Sequence, residues 1–306
     1  MQNNCASCFG GDLLKKITFG MLIITLIMFI GLNFFSDSSI ANVVYTDGDK
    51  RDAYLNIMTC NKQQCEMVKE IVGNKHNIQF MFANENSIAE FKYNTETVNN
   101  ISNMDIFLYS GNSYEPWVSE FIEDLDKSKL GVINISRGIR TIQFEGKTSK
   151  NNPYFWTGVD EYKIALYNIK SAIQDKDPKN RDLYEQNYEK VIKELDEKLV
   201  IYGQVNVDFS QFEFIALDDN LDYFFRNIGI SPIKAKDKTI ATIIEENHLD
   251  PQKVIILKDI KTAFNKESYK VIELESFDDN KTFNDIIINN YYKMYSITPN
   301  EQTAPK

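Results

Sequence analysis

The sequence predicts an α/β protein with two lobes, each with a mostly parallel sheet flanked by helices, joined by one long rigid helix. Short apolar segments alternate with amphipathic segments in both halves of the chain, the pattern that βαβ units produce. Between the halves, Asp182–Leu199 has apolar residues at helical spacing and no internal Gly or Pro. The 306 residues are 43% hydrophobic and 25% charged, which is ordinary globular composition for two domains.

The N-terminal α/β lobe is predicted over residues 43–160. Gly73 closes its first helix and Ser110-Gly111 stops its third strand, since both are residues that favour turns. The predicted strands are Leu55–Met58, Ile78–Phe82, Asp105–Tyr109 and Gly131–Ile135, and the predicted helices are Gln64–Val72, Thr95–Asn103 and Trp117–Leu125.

Residues 161–201 form the predicted linker, and residues 182–199 are its long helix. Pro178 precedes this helix, which would be roughly 27 Å long at about 1.5 Å per residue. The C-terminal α/β lobe is predicted over residues 202–297, and residues 298–306 are expected to form a loose polar tail. In that lobe the alternation resumes over Phe212–Leu217, Leu221–Asn227, Ile240–Asn247, Val254–Leu257 and Val271–Leu274.

The N-terminal region contains a candidate membrane segment. Ile17–Phe35 carries no charge and is long enough to span a bilayer, and Lys15-Lys16 would keep residues 1–16 in the cytoplasm. Residues 17–41 are therefore either a membrane anchor or a signal peptide cut after Ala41. No cysteine follows the run within reach, so no bacterial lipid-anchor site is expected there. Both alternatives predict a chain that is extracytoplasmic, anchored or secreted, at a bacterial cell surface.

The four cysteines form two pairs with different expectations. Cys5 and Cys8 form a C-x-x-C pair in the short tail, which alone is weak evidence for redox or metal chemistry. Cys60 and Cys65 are expected outside the cytoplasm, where a disulfide persists. Their tight spacing at a strand-to-helix turn could forbid bridging, but we favour a local disulfide.

Composition and missing motifs disfavour several functional classes. A formal charge of −10 repels phosphate, so nucleic acid is not an expected partner. The only histidines are His76 and His248, which limits imidazole catalysis, and we expect both to be surface residues. The sequence has neither a G-x-x-x-x-G-K-[ST] loop nor a G-x-S-x-G elbow. We therefore do not expect an enzyme.

Several short motifs stand in order between Leu55 and Ser296. They are Asp105–Gly111 followed by Glu115-Pro116-Trp117, Asn152–Trp156, Asp177–Asn180 leading to Leu195-Asp196, Asp218 with Tyr223 and Gly229, and Leu274–Phe277 with Phe283 and Asn290. In this order they resemble the metal-binding subunits of bacterial ABC transporters, zinc and manganese type. The resemblance implies a monomeric extracytoplasmic solute-binding protein that delivers a cation to a membrane permease.

The same resemblance implies a site with departures from the family. The family's four-ligand cage usually has at least two histidines, but its first position falls on or near Ala89, which has no donor atom. The resemblance assigns the other three positions, and so the metal ligands, to Tyr154, Asp218 and Glu275. Two further residues, Glu90 and Cys60, are spare candidates.

The donor set bears on which metal is bound. Three oxygen donors suit manganese or iron better than zinc, which prefers Cys and His. An equally compatible alternative is a site that has lost its metal, with Tyr154 filling the cleft. The chain would then be a degenerate family member that acts as a cell-surface adhesion or accessory protein.

Overall fold

The computed structural model describes residue 21 and residues 54–111, 113–144, 150–205, 207–265 and 269–297. The chain divides into two compact units, residues 1–52 and 53–306, and both β-sheets lie in the second. The predicted membrane segment apart from Met21, the Cys5–Cys8 pair and the tail 298–306 lie outside the described residues. Within those residues, no helix combines the length and apolar character needed to cross a membrane.

The described residues alternate strand and helix through both halves. The strands are β1 (Asn56–Asn61), β2 (Asn77–Phe82), β3 (Ile106–Tyr109), β4 (Gly131–Asn134), β5 (Glu213–Ala216), β6 (Ile233–Lys234), β7 (Val254–Asp259) and β8 (Lys270–Leu274). The helices are α1 (Lys62–Val72), α2 (Asn86–Ala89), α3 (Thr95–Ser102), α4 (Val118–Asp124), α5 (Val159–Lys176), α6 (Arg181–Gly203), α7 (Asp222–Ile228), α8 (Ile240–Asn247) and α9 (Phe283–Tyr295). Short 3-10 turns cover Phe155–Thr157, Pro178–Asn180 and Phe209–Gln211.

The strands form two sheets with the same topology. Their orders are β2-β1-β3-β4 and β6-β5-β7-β8, and every neighbouring pair is parallel. Strand order reverses between β1 and β3 and again between β5 and β7, so each sheet has a switch point where a crevice opens at the carboxyl ends. The prediction of two parallel α/β lobes joined by a long helix is confirmed.

Strand β1 passes directly into helix α1 through a capping box. The Asn61 side chain accepts from the Gln64 N–H at 2.7 Å, and the Gln64 side chain accepts from the Asn61 N–H at 3.3 Å. Gly73 ends the helix with a positive φ of 61°, a conformation that favours glycine. The strand therefore runs to Asn61, three residues past the predicted end at Met58.

Two long helices occupy the middle of the chain instead of one. Helix α6 contains the predicted Asp182–Leu199 and packs against α1, α5 and α9. Helix α5, which the sequence analysis left inside the linker, packs against β4 and α1 and buries Leu166, Ile169 and Ile173 completely.

Helix α9 and Trp156 tie the two lobes together. Phe283, Ile286 and Ile287 of α9 belong to the core of the N-terminal lobe, whereas Met294 belongs to a core of the C-terminal lobe. Trp156 stacks on Phe283 with ring centroids 4.6 Å apart. Helix α9 thus packs against the apolar cores of both lobes.

Two expectations about single residues were wrong. Cys60 and Cys65 are both free and buried, because the Cys60 thiol lies beside Glu115 whereas the Cys65 thiol lies beside Lys69 and Glu66.

His76 is also not a surface residue. It is buried, its Nδ1 accepts from the Leu55 N–H at 3.3 Å, and its Nε2 lies 2.8 Å from the Tyr184 hydroxyl. This histidine is therefore a packed structural residue. His248 is exposed, as expected, and caps α8 with a left-handed φ of 53°.

Candidate functional site

The carboxyl ends of the two sheets face each other. After β1, the Gln63 side-chain amide donates to the Asp278 carbonyl, which follows β8, at 2.8 Å. The Trp156 indole N–H donates to the Ser276 carbonyl at 2.8 Å. Residues that follow strands in different lobes are thereby brought into one region, where α/β proteins commonly bind ligands.

Two aspartates lie at the switch point of the C-terminal sheet. Asp218 follows β5 and Asp259 ends β7, and the Asp218 Oδ2 accepts from the Asp259 N–H at 2.8 Å and from the Thr262 hydroxyl at 3.0 Å. Asp259 is fully buried, and its carboxylate accepts from the Lys261 N–H at 3.0 Å and from the Ser276 hydroxyl.

The environment of Asp218 favours its protonated form. Burial is the largest influence on its pKa and raises it. The hydrogen bond from the Asp259 N–H opposes this rise, and the charge of the Asp259 carboxylate adds to it. The net pKa of Asp218 is above its usual value, as expected for a partly buried acid beside a like charge.

Tyr154 and Glu85 approach this pair from the other side. Burial raises the pKa of Tyr154 far above its usual range, followed by the charge of Glu85 and a hydrogen bond with that carboxylate, and then by the charges of Asp259 and Asp218. The Tyr154 hydroxyl therefore stays protonated at neutral pH. It offers a neutral oxygen and not the phenolate that binds metals strongly.

A lysine completes the group. The Lys261 Nζ lies 2.5 Å from the Glu85 Oε2 and 4.8 Å from the centroid of the Phe277 ring. The Lys261 side chain is 45% exposed and that of Glu85 is 19% exposed. We call Glu85, Tyr154, Asp218, Asp259 and Lys261 the cleft cluster.

Glu275, the third predicted ligand, has a different setting. Its Oε1 lies 2.9 Å from the Lys293 Nζ and its Oε2 lies 2.5 Å from the Lys281 Nζ. Burial alone would raise the pKa of Glu275, but the hydrogen bonds and charges of the two lysines outweigh burial and lower it. The structure thus brings Tyr154 and Asp218 together and pairs Glu275 with cations. The next residue, Ser276, contacts Asp259 instead.

The spare candidates lie in contrasting places. Glu90 is exposed at the end of α2, next to the exposed Ala89. Cys60 is fully buried, and burial, followed by the charge of Glu115, raises the pKa of its thiol. Because a metal binds the thiolate, this thiol is poorly suited to coordinate one.

Three members of the cleft cluster, Glu85, Asp259 and Lys261, were not predicted from the sequence. Asp259 carries a usable signal, since a carboxylate directly after a buried apolar run of a parallel sheet lies where ligands bind. No local pattern distinguishes Glu85 from Glu90. The contact of Glu85 with Lys261 joins residues 176 positions apart in sequence.

The cleft cluster is not a preformed metal cage. Within the residues that the structure describes, no group of three or more His, Cys, Asp or Glu side chains is arranged to hold a metal ion. The carboxylates are engaged by Lys261, Ser276, Thr262 and backbone N–H groups.

Two parallel α/β lobes with a polar cluster between their carboxyl ends define a two-lobed binding protein. The family model described as zinc-uptake complex component A, periplasmic (ZnuA), matches residues 57–298, which is more than half of the chain. The chain belongs to the ZnuA family.

Individual relatives agree with this assignment. The metal ABC transporter substrate-binding lipoprotein ScbA of Streptococcus cristatus is 26% identical over 189 residues, covering 60% of this chain and 58% of that protein. The manganese ABC transporter substrate-binding lipoprotein scaA of Streptococcus gordonii is 25% identical over 189 residues, with the same coverage of 60% and 58%. The matched region thus spans less than two thirds of these curated relatives.

A solved structure shows the same fold. The Zn(II)-bound ZnuA-like domain of Streptococcus pneumoniae AdcA has a TM-score of 0.63 and 16% identity, covering 79% of this chain and 98% of that chain. At this identity the likeness concerns the arrangement of the two lobes, not the ligands between them.

Proposed function

We propose that this chain is the extracytoplasmic solute-binding protein of a metal-ion ABC transporter. It would bind a cation between its lobes and deliver it to a membrane permease. The observation that carries this proposal is the pair of partly buried Asp218 and fully buried Asp259 at a switch point, with Glu85 and Tyr154 beside it from the facing lobe. Membership of a family whose relatives are named as metal ABC transporter substrate-binding proteins supports it.

The charges of the cleft cluster favour a divalent or trivalent ion. Glu85, Asp218 and Asp259 carry three negative charges when ionised, and Lys261 supplies one positive charge. Two carboxylates held close together repel each other unless a proton or a cation lies between them. Because the donors are oxygens, manganese or iron suits this site better than zinc.

The direct contacts between the lobes suggest how cargo is signalled. Gln63 with Asp278 and Lys261 with Glu85 are single polar contacts across the cleft. We propose that a cation changes the second of these contacts and thereby alters the surface that the permease meets. In this proposal the chain works as a monomer outside the cytoplasmic membrane, with residues 17–35 as its anchor or signal segment.

Thermal unfolding of the full-length protein with and without Mn²⁺, Fe³⁺, Ca²⁺ or Zn²⁺ tests the proposal. A bound ion stabilises the folded state by RT ln(1 + [L]/Kd), about 2.7 kcal/mol at an ion concentration of about 100 Kd. We expect the largest rise in Tm with Mn²⁺ or Fe³⁺.

The variants locate the site. The double variant Asp218→Asn with Asp259→Asn should abolish the rise in Tm. The control Asp219→Asn changes the next carboxylate, which pairs with Lys234 at 3.4 Å. This control should keep the rise in Tm. If no ion raises the Tm of the wild-type protein, the cation-transport function is wrong.

A second candidate function is that of a family member without metal cargo, acting as a surface adhesion or accessory protein. Lys261 favours it, because its ammonium already neutralises Glu85 inside the cleft cluster. This alternative predicts no rise in Tm with any of the ions. It also predicts no stoichiometric metal by elemental analysis after expression in metal-replete medium.

A further inference from the structure

Lys261 contacts carboxylates on both sides of the cleft. Its Nζ lies 2.5 Å from the Glu85 Oε2 of the N-terminal lobe, and its own backbone N–H donates to the Asp259 Oδ1 at 3.0 Å. The ammonium also lies 4.8 Å from the centroid of the Phe277 ring, within the range of a cation–π contact. The Lys261 ammonium is therefore a positively charged group within the cleft cluster itself.

We propose that Lys261 is an internal competitor of the cargo cation and sets the affinity and charge selectivity of the site. The inference rests on the proposed function. A metal ion that binds Glu85 is repelled by the ammonium already in contact with that carboxylate, and this repulsion favours displacement of the Lys261 side chain into water. Displacement also breaks a polar contact between the lobes, so cargo binding and lobe release become a single event.

The exposure of the pair makes displacement feasible. Lys261 is 45% exposed at the end of a flexible four-carbon stem, so its ammonium can move into water at small cost. The Glu85 Oε1 is buried and has no hydrogen-bond partner within the described part of the chain, so this carboxylate keeps an oxygen available for a second ligand.

Glu275, in contrast, is a carboxylate that a cargo cation cannot readily bind. Its side chain is 4% exposed and is held by two lysines, Lys281 and Lys293. A cation would have to displace both ammonium groups from a buried acid. The single, half-exposed Lys261 is therefore the lysine whose removal should change cation binding.

Competition from the Lys261 ammonium should also make the site prefer highly charged ions. An ion of charge two or three interacts with Glu85, Asp218 and Asp259 more strongly than the single charge of an ammonium does, whereas a monovalent ion gains no such advantage. Lys261 thus selects against Na⁺ and K⁺ without any restriction on ion size.

Isothermal titration of the full-length protein with Mn²⁺ tests the inference. Lys261→Met keeps an unbranched side chain of similar length but removes the charge. We expect it to tighten the Kd for Mn²⁺ about threefold or more, the effect of losing one partly exposed ion pair as a competitor. Lys293→Met removes the same charge beside Glu275 and should leave the Kd unchanged. An unchanged or weaker Kd in Lys261→Met, with wild-type protein that binds, would overturn the inference but not the proposed function. No binding by either protein would overturn both.

Amine acetylation followed by mass spectrometry provides a second measurement. If Mn²⁺ displaces the ammonium from Glu85, the acetylation rate of Lys261 should rise severalfold with Mn²⁺, while that of Lys293 stays constant. A Lys261 rate that does not respond to a Mn²⁺ concentration saturating the titration would overturn the competitor role.

Discussion

Asp218 and Glu275 follow strands of the same sheet, yet their surroundings act on them in opposite directions. The Asp218 carboxylate accepts from the neutral Asp259 N–H and Thr262 hydroxyl, and its pKa is raised. The Glu275 carboxylate is held by two ammonium groups, and its pKa is lowered. Position at the end of a strand therefore does not decide what a carboxylate can bind. What a carboxylate can bind depends on the cations that the fold places beside it.

The largest expected effect is the loss of stability in Glu275→Gln. The amide keeps the shape but leaves Lys281 and Lys293 without their shared counter-ion, so we expect about 2–3 kcal/mol of destabilisation at neutral pH, measured by urea unfolding. Because the pKa of Glu275 is lowered on folding, this contribution should fade as the pH falls through its folded value.

A matched control for this variant lies two residues earlier on β8. Glu273 lies 3.5 Å from the Lys258 Nζ and is 39% exposed. The buried Lys258 ammonium also donates to the Asp259 and Thr262 carbonyls, so Glu273→Gln leaves it with partners and should cost less than Glu275→Gln. Equal losses in the two variants would mean that the double lysine contact does not stabilise Glu275.

Glu70 extends the comparison to a carboxylate outside the sheet. It accepts from the Tyr162 hydroxyl at 2.8 Å, and burial, followed by weaker effects of neighbouring acids, raises its pKa from 4.5 to about 7. A raised acid pKa means that stability falls as the pH rises through the interval from 4.5 to about 7. We expect Glu70→Gln to be about 1–2 kcal/mol more stable than wild type at about pH 8, with the gain vanishing at about pH 4.

The control for Glu70 is Glu66, whose carboxylate lies 2.8 Å from the Lys69 Nζ on the surface of α1. Glu66→Gln should show no comparable gain at alkaline pH. A gain of the same size in both variants would point to general relief of the chain's negative charge instead of a local effect at Glu70.

Asp218→Asn should have a smaller effect of the same sign. The amide oxygen can still accept from the Asp259 N–H and Thr262 hydroxyl, and the substitution removes a partly buried charge beside Asp259. We expect a gain of up to about 1 kcal/mol at about pH 8 that vanishes at low pH, where the wild-type carboxyl is protonated. Urea unfolding at both pH values measures it, and a clear loss of stability at about pH 8 would contradict the raised pKa.

Features encoded by neighbouring residues were predictable from the sequence, whereas contacts between residues far apart in the chain were not. Strands such as Val254–Asp259 are continuous apolar runs and are predictable, whereas α5 was missed because it buries Lys170 and Gln174 among its apolar residues and so blurs the helical pattern. Asp218 was predicted because the family resemblance places a ligand position there. Glu85 and Lys261 meet only across the cleft, and no local pattern encodes that contact.

The smallest expected effect separates two glutamates near the same short helix. Glu90 is exposed at the end of α2, so Glu90→Gln should change neither the stability nor the rise in Tm that we expect with Mn²⁺. Glu85 precedes α2 and lies between Tyr154 and Lys261, so Glu85→Gln should reduce that rise by removing a negatively charged ligand. Both variants remove one negative charge from the same segment, so their difference reports contact with the cation and not the overall charge. Equal responses to Mn²⁺ would remove Glu85 from the cleft cluster and leave Asp218 and Asp259 as its only carboxylates.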